Sequence, residues 1–325
     1  MQDFWHQEPL LKEQLADVHA LILATVSEAS PFIRPLLLDY LAKPGKMLRP
    51  ALTLITSTLG DTEVTEQVIE AAAIVELIHL ASLVHDDIID EAPKRRGVPT
   101  LYARVGAKQA VLAGDYLLAK ALALVSAVEA LDPLLISRSL SRLLESELEQ
   151  DASVGQWHIS EQTYLRRIGG KTASLFGLAA YTGAVVSEQD RAIANRVHRI
   201  GYRLGIAFQI QDDLLDYTGN SDCLGKATAV DLRSGIPTLP LIYALQEEQL
   251  RGTDTLATLL ASKRLTKGKL QRAVALVTEL GGIERTKAVE AHYRSAALVD
   301  IATLKNPAVE GQLRGLLARL SHRSV

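Results

Sequence analysis

From Val64 to Ile89 the chain runs without a glycine or a proline, and its apolar residues recur at spacings of three and four. That is the α-helical period, over a length no ordinary strand reaches. The same pattern fills 104–128, 133–152, 163–183, 188–217, 268–280 and 284–303, where alanine and leucine, both strong helix formers, dominate. Alternating strand patterns are absent. Asp132 before Pro133 predicts a helix N-cap, Ser187 with Asp190 a capping box, and Gly60, Gly155 and Gly219 helix exits. Prolines fall outside the helical runs, at Pro31, Pro44, Pro50, Pro93, Pro99, Pro237 and Pro240. No Pro/Gly/Ser-rich linker and no repeat divides the chain. The expectation is all-α: one domain over residues 1–325, with ten or more helices.

Lys plus Arg is 35 and Asp plus Glu is 38, a net charge of −3. This excludes a generally basic nucleic-acid binder. Aromatics make only 5% of the chain, so the core must be aliphatic. The single cysteine, Cys223, allows no disulfide within the chain and fits a reducing compartment. The start, MQDFWHQEPL, lacks the basic and apolar regions of a signal peptide. Glu76, His79, Lys120 and Glu129 interrupt the longest apolar runs, so no membrane span is expected. The expectation is a cytoplasmic protein with at most peripheral membrane contact.

Two segments do not serve folding. LVHDDIIDEAPKRRG holds Asp86, Asp87 and Asp90, and AFQIQDDLLDYTG holds Asp212, Asp213 and Asp216. On a helix Asp86 shares a face with Asp90, and Asp212 with Asp216. Like charges at that spacing repel by roughly 0.2–0.5 kcal/mol per pair. Each motif also ends an apolar helix, where the helix dipole disfavours anions. A hard divalent cation removes the conflict: Mg²⁺ commonly takes one or two carboxylates and completes its shell with water and phosphate oxygens. One such trio reads equally well as a solvated helix end; two in similar apolar frames point to a paired Mg²⁺–phosphate site.

Phosphate requires cations. Lys46 and Arg49 lie in KPGKMLRP, Arg95 and Arg96 directly follow the first motif, Lys171 and Thr172 interrupt an apolar stretch, and Lys226 follows Asp216 in a loop. Arginine offers a planar fork to phosphate oxygens and lysine a point charge. GGKTAS lacks the full phosphate-loop pattern and follows no strand, so a P-loop is rejected. His79 and His85 sit near the first motif, both ahead of Asp86.

These segments together resemble the trans-isoprenyl diphosphate synthases, the polyprenyl synthetase family, and within it the medium- and long-chain all-trans synthases. The resemblance covers about residues 30–245. It rests on GK-x-LRP at 45–50, HDD-x-x-D at 85–90 preceded by His79, RRG at 95–97, AGDYLL at 113–118, KT at 171–172, FQI-x-DD-x-x-D at 208–216, GK at 225–226 and TLP at 238–240. It implies a helical bundle around a central cavity, with the two aspartate motifs facing each other across its mouth. It implies that Asp86, Asp87, Asp90, Asp212, Asp213 and Asp216 hold Mg²⁺, three ions with substrate bound. Arg95, Lys171, Thr172, Gln209 and Lys226 would contact an allylic diphosphate; Lys46, Arg49, His79 and Arg96 would bind isopentenyl diphosphate. Lys171 and Lys226 would share the catalytic work with the aspartates. Two departures stand out: Pro44 and Met47 replace a glycine and an arginine of the usual pattern, and Ile236 replaces a lysine.

The implied reaction is Mg²⁺-dependent sequential 1'-4 condensation of isopentenyl diphosphate onto an allylic primer, by ionisation, addition and elimination. No Ser-His-Asp or Cys-His arrangement competes with it. Ala81 and Ser82, one turn before Asp86, with Ile78 and Val75 deeper, would line the chain-length pocket. In the family, aromatic residues near the positions of Ala81 and Ser82 stop growth early. Here both are small, and no aromatic occurs between Tyr116 and Trp157. The expected product is longer than C20, in the C30–C50 range. The alternatives are a shorter-chain farnesyl or geranylgeranyl synthase, closed by an aliphatic floor, and the catalytic subunit of a heteromer with a small partner. A homodimer is implied by the family.

Overall fold

The computed structural model describes residues 4–60, 63–95, 97–219, 229–262 and 265–321. Among them the elements are α1 (Pro9–Ser27), α2 (Arg34–Leu41), α3 (Leu48–Ser57), α4 (Glu66–Ile89), β1 (Lys94–Arg95), β2 (Val98–Pro99), α5 (Leu101–Ala127), α6 (Pro133–Asp151), α7 (Glu161–Ile168), α8 (Ser174–Val186), α9 (Arg191–Thr218), α10 (Val230–Ser234), α11 (Leu239–Leu250), α12 (Thr255–Leu260), α13 (Lys267–Glu279), α14 (Gly282–Ile301) and α15 (Pro307–Ser321). The all-α expectation holds.

Three local differences matter. The run expected at 163–183 is broken by a π-helical turn at Gly169–Ala173. A short antiparallel hairpin, β1 with β2, follows α4 where no strand was expected. Pro93 and Pro99 cannot continue a helix, and Gly97 sits at φ +80°, so the chain doubles back there. Thr100 then starts α5: its hydroxyl accepts from the Ala103 N–H at 3.1 Å and donates to the Ala92 carbonyl at 2.6 Å. The third difference is a cap. Asp190, not Ser187, caps α9, accepting from the Ile193 N–H at 2.7 Å; the Ser187 hydroxyl bonds back to Gly183. The Asp132 cap before α6 is present, accepting from the Leu134 N–H at 2.9 Å.

The chain groups into two compact units, each assembled from separate stretches. The first comprises 1–140, 175–201 and 306–309. Its core is aliphatic, with Leu15, Ile22, Leu52, Ile55, Ile74, Leu77 and Leu117 almost fully buried. Each such side chain contributes about 1.5–3 kcal/mol by burial. The hydroxyls of Thr53 and Thr56 on α3 donate to the Ala179 and Ala180 carbonyls of α8, at 2.9 and 2.8 Å. Gly183 makes that approach possible, because a Cβ there would meet the Thr53 carbonyl oxygen at 2.1 Å.

The second unit comprises 141–174, 202–305 and 310–325. Its core gathers Tyr164, Ile206, Ile210, Leu214, Leu241, Ile242 and Val277. Buried Glu248 caps α12, its carboxylate accepting from the N–H groups of Leu256 and Ala257 at 2.5 and 2.9 Å.

The expectation that no stretch reaches membrane-spanning length needs correcting. By length and composition both α4 and α5 reach it, because single polar residues do not lower the mean hydropathy of an Ala/Leu-rich helix enough. In α4 61% of the apolar window is buried, as in a core helix; in α5 the figure is 33%.

Candidate active site

In the first unit α4 ends on the first aspartate motif. Asp90 is its exposed C-cap and Asp86 is half-buried, but Asp87 turns inward and is only 1% exposed. The hairpin carries Arg95 back to it: Arg95 Nε donates to Asp87 Oδ1 at 2.8 Å. The second oxygen, Oδ2, is buried with no hydrogen-bond partner. Burial raises the Asp87 pKa, and Arg95 opposes the rise. The pattern therefore separates two outward carboxylates at i and i+4 from one inward carboxylate at i+1.

Arg49 and Lys46 flank the start of α3. Arg49 is buried, its guanidinium 4.8 Å from the Phe176 ring centroid, and burial lowers its pKa to about 10 despite the charge of Glu76. His79 is half-buried on α4. Met47, one of the two departures at this loop, caps α3 in the left-handed region at φ 50° and is buried; its neutral thioether supplies no charge. A cavity of about 400 Å³ lies in this unit, lined by residues that include Leu41, Pro44, Met47, Leu80, Leu83 and Arg95. Val75, Ile78 and Ala81 are buried on another side of α4, and half-buried Ser82 donates to the His79 carbonyl at 2.8 Å.

In the second unit α9 ends on the second motif, and the same division appears. Asp212 is exposed, while Asp213 is 5% exposed and fully engaged. Tyr164 Oη donates to Asp213 Oδ2 at 2.7 Å, and Gln209 Nε2 donates to Oδ1 at 2.8 Å. Thr172 completes the chain, donating to Gln209 Oε1 at 2.8 Å. Asp216 accepts from the N–H groups of Val230 and Asp231, both at 3.0 Å, which fixes α10 against the end of α9. Asp231 is thereby brought among the aspartates. Burial first, and then its carboxylate neighbours, push it up to about 8; burial likewise pushes Asp213 up to about 7.

Lys171 and Thr172 sit on the π turn, a feature concentrated at functional sites. The Lys171 ammonium pairs with Glu147 at 2.8 Å. Gly170 is required there: a Cβ would meet Ser146 Oγ at 1.8 Å and the Arg142 carbonyl oxygen at 2.8 Å. Arg96 and Lys226, both expected to bind diphosphate, lie outside the described residues. So does Cys223.

Sequence reasoning missed Tyr164, Glu147 and Asp231. None lies in a chemically patterned segment. Their roles come from contacts across 15 to 49 residues of chain.

The donor set suits a hard divalent cation. It is all carboxylate in each unit: in the first, Asp87 Oδ2 is buried without a hydrogen-bond partner, and in the second, burial first and then neighbouring carboxylates raise the pKa of Asp231. Among the described residues no three acidic or histidine side chains converge into a closed cage.

Helices that end on aspartate motifs, with arginine and lysine near them, carry the side-chain chemistry that would hold a phosphate ligand through divalent cations. The model of the polyprenyl synthetase family matches residues 32–277, and the chain belongs to that family. It is similar to a decaprenyl-diphosphate synthase of Dictyostelium discoideum, 39% identical over 87% of this chain, and it spans 60% of that relative's length. It is similar to heptaprenyl diphosphate synthase component 2 of Bacillus subtilis, 33% identical over 91% of this chain and 83% of the relative. Its fold is that of a solved geranylgeranyl pyrophosphate synthase from Lactobacillus brevis, with TM-score 0.89, 31% identity and coverage of 99% of this chain and 100% of that one.

Proposed function

We propose that this chain is an all-trans polyprenyl diphosphate synthase, a prenyltransferase that adds isopentenyl diphosphate stepwise to an allylic diphosphate by 1'-4 condensation. The observation that carries the reading is the repeated aspartate motif, its middle carboxylate buried in both copies, inside a chain matched by the family model over 32–277. In this reading 1–325 works as one polyprenyl synthetase domain. Bound magnesium, three ions with substrate present, supplies positive charge to the departing diphosphate.

The chain's own residues do the rest. Asp86, Asp90 and Asp212 present carboxylates for metal, and Asp216 joins them while fixing α10. Asp87 and Asp213 complete the two sets from within, oriented by Arg95 and by Tyr164 with Gln209. Arg95, Lys171, Thr172, Gln209 and Lys226 bind the allylic diphosphate. Arg95 and Lys171 first exchange Asp87 and Glu147 for phosphate oxygens. Lys46, Arg49, His79 and Arg96 bind isopentenyl diphosphate. Aliphatic walls exclude the water that would quench an allylic cation. The released diphosphate takes the proton, so no dedicated protein base is needed.

The product exceeds C20, in the C30–C50 range, because Ala81 and Ser82 are small; similarity to a decaprenyl synthase supports this length. Likeness to a geranylgeranyl synthase favours the shorter-chain alternative, and likeness to a named component 2 favours a heteromer with a small partner. We place the enzyme in the cytoplasm as a homodimer; the exposed apolar side chains Leu112 and Leu122 of α5 support an interface.

The test uses the purified chain with Mg²⁺, labelled isopentenyl diphosphate, and farnesyl or geranylgeranyl diphosphate as primer. A product ladder ending above C20 supports the full reading. A ladder ending at C15–C20 selects the shorter-chain alternative. Turnover only with a co-purified small subunit selects the heteromer.

A further inference from the structure

Two aromatic residues near the N-terminus grip one cation of the site. Trp5 is fully buried, and a buried indole N–H needs an acceptor. It finds the main-chain carbonyl of Lys46, at 2.7 Å and 41 residues away. Phe4 packs edge-on against Trp5, with ring centroids 4.8 Å apart and planes at 78°. The face of the Phe4 ring carries the Lys46 ammonium, 5.2 Å from its centroid. Lys46 is therefore held at both ends, by its carbonyl and by its charge. Both aromatic residues lie before residue 32, outside the segment that the family model matches.

We infer that Phe4 and Trp5 form a positioning device for Lys46, which sets the affinity for isopentenyl diphosphate. The inference rests on the proposed role of Lys46. A free lysine samples many rotamers, and a phosphate that recruits it must order the side chain. Here much of that ordering precedes binding, which lowers its cost at the moment of association. The aromatic face does not compete with the ligand for long, because a diphosphate carries full charges where a ring offers only a quadrupole. The loop contributes in the same direction. Pro44 fixes one φ, and Met47 follows Lys46 in the left-handed region, so the carbonyl that Trp5 holds belongs to a constrained backbone.

The experiment compares Phe4→Leu, Trp5→Phe and Lys46→Ala in steady-state kinetics and thermal melts of the full chain. Phe4→Leu keeps apolar bulk at a half-buried position, and Trp5→Phe keeps a ring while removing the N–H. For Phe4→Leu the expected result is a KM for isopentenyl diphosphate raised about three- to tenfold, with the KM for the allylic primer, kcat and Tm unchanged. Trp5→Phe shifts the same KM in the same direction. A second readout needs no turnover. In a Trp157→Phe background Trp5 is the sole tryptophan, and its emission shifts when inorganic diphosphate is added with Mg²⁺; Lys46→Ala abolishes the shift. An unchanged KM for isopentenyl diphosphate in Phe4→Leu, or an equal rise in both KM values, overturns the device while leaving the role of Lys46 standing. An unchanged KM in Lys46→Ala overturns that role and the device with it.

Discussion

Tyr164→Phe removes one hydroxyl from beneath the second aspartate motif and changes almost nothing in volume. The hydroxyl donates to Asp213 at 2.7 Å in a fully buried setting. A hydrogen bond to an ionised partner contributes about 1.5–3 kcal/mol, and one to a neutral partner about 0.5–1.5 kcal/mol. Which value applies depends on Asp213, whose pKa rises from 3.8 to about 7 on burial. The folded state therefore binds more protons than the unfolded chain between those two values. Stability from this group falls as pH rises from about 4 to about 7 and is flat above. Loss of the Tyr164 donor, which favours the ionised form, raises the Asp213 pKa further. The cost of the substitution should thus be about 0.5–1.5 kcal/mol at pH 5.5, where Asp213 is protonated, and about 1.5–3 kcal/mol at pH 8.5, where it is charged. Denaturant unfolding at both pH values, without divalent cations, measures the two costs. Equal costs at the two pH values, or a larger cost in acid, would refute the assignment of Tyr164 as a donor to the ionised carboxyl.

Gly170→Ala should distort the π turn, because its Cβ meets a backbone oxygen as well as Ser146. Turnover falls at least tenfold, and trimming Ser146 to glycine restores only part of it; full restoration would show that the carbonyl contact does not matter. Asp86→Asn and Asp212→Asn should raise the Mg²⁺ concentration needed for half-maximal activity with Tm nearly unchanged. Asp87→Asn should instead alter stability along with activity, because it weakens the buried contact with Arg95. Identical profiles for the three, read by Mg²⁺ titration and melting, would contradict the division into outward and inward carboxylates. Ala81→Phe, at a fully buried position, should shorten the longest product and cost about 1–3 kcal/mol by overpacking; an unchanged product ladder would sink the chain-length assignment.

The helices were legible because their signal is periodic and repeated over whole turns. Boundaries were less so. At Ser187 and Asp190 two capable caps compete, and the sequence does not say which the chain selects. The hairpin at 94–99 was invisible because two-residue strands carry no period, although Pro93 and Gly97 marked the turn. Of the site, the aspartates could be read because like charges at the end of an apolar helix need an explanation. Tyr164, Glu147 and Asp231 could not, because a lone tyrosine or acid in a helix has many ordinary uses. Only the tertiary fold brings them to Asp213, Lys171 and Asp216.

The middle aspartate of each motif shows what the spacing alone conceals. At i and i+4 the side chains share a face, and the i+1 position is rotated about 100° away. In both motifs that middle side chain points into protein, but the two are satisfied differently. Asp87 meets a full positive charge on a hairpin, and one of its oxygens remains without a partner. Asp213 meets only neutral donors, among neighbours that are themselves acidic. The first is thus balanced by a cation, the Arg95 guanidinium. The second sits beside other carboxylates with no cation of the described residues bonded to it, and an added cation would offset their charge. A divalent ion should therefore stabilise the second unit more than the first in the absence of substrate. Hydrogen exchange with and without Mg²⁺ resolves the two. Greater added protection at the C-terminal turn of α9 and in α10 than at the end of α4 follows from this charge balance, and the reverse order would overturn it.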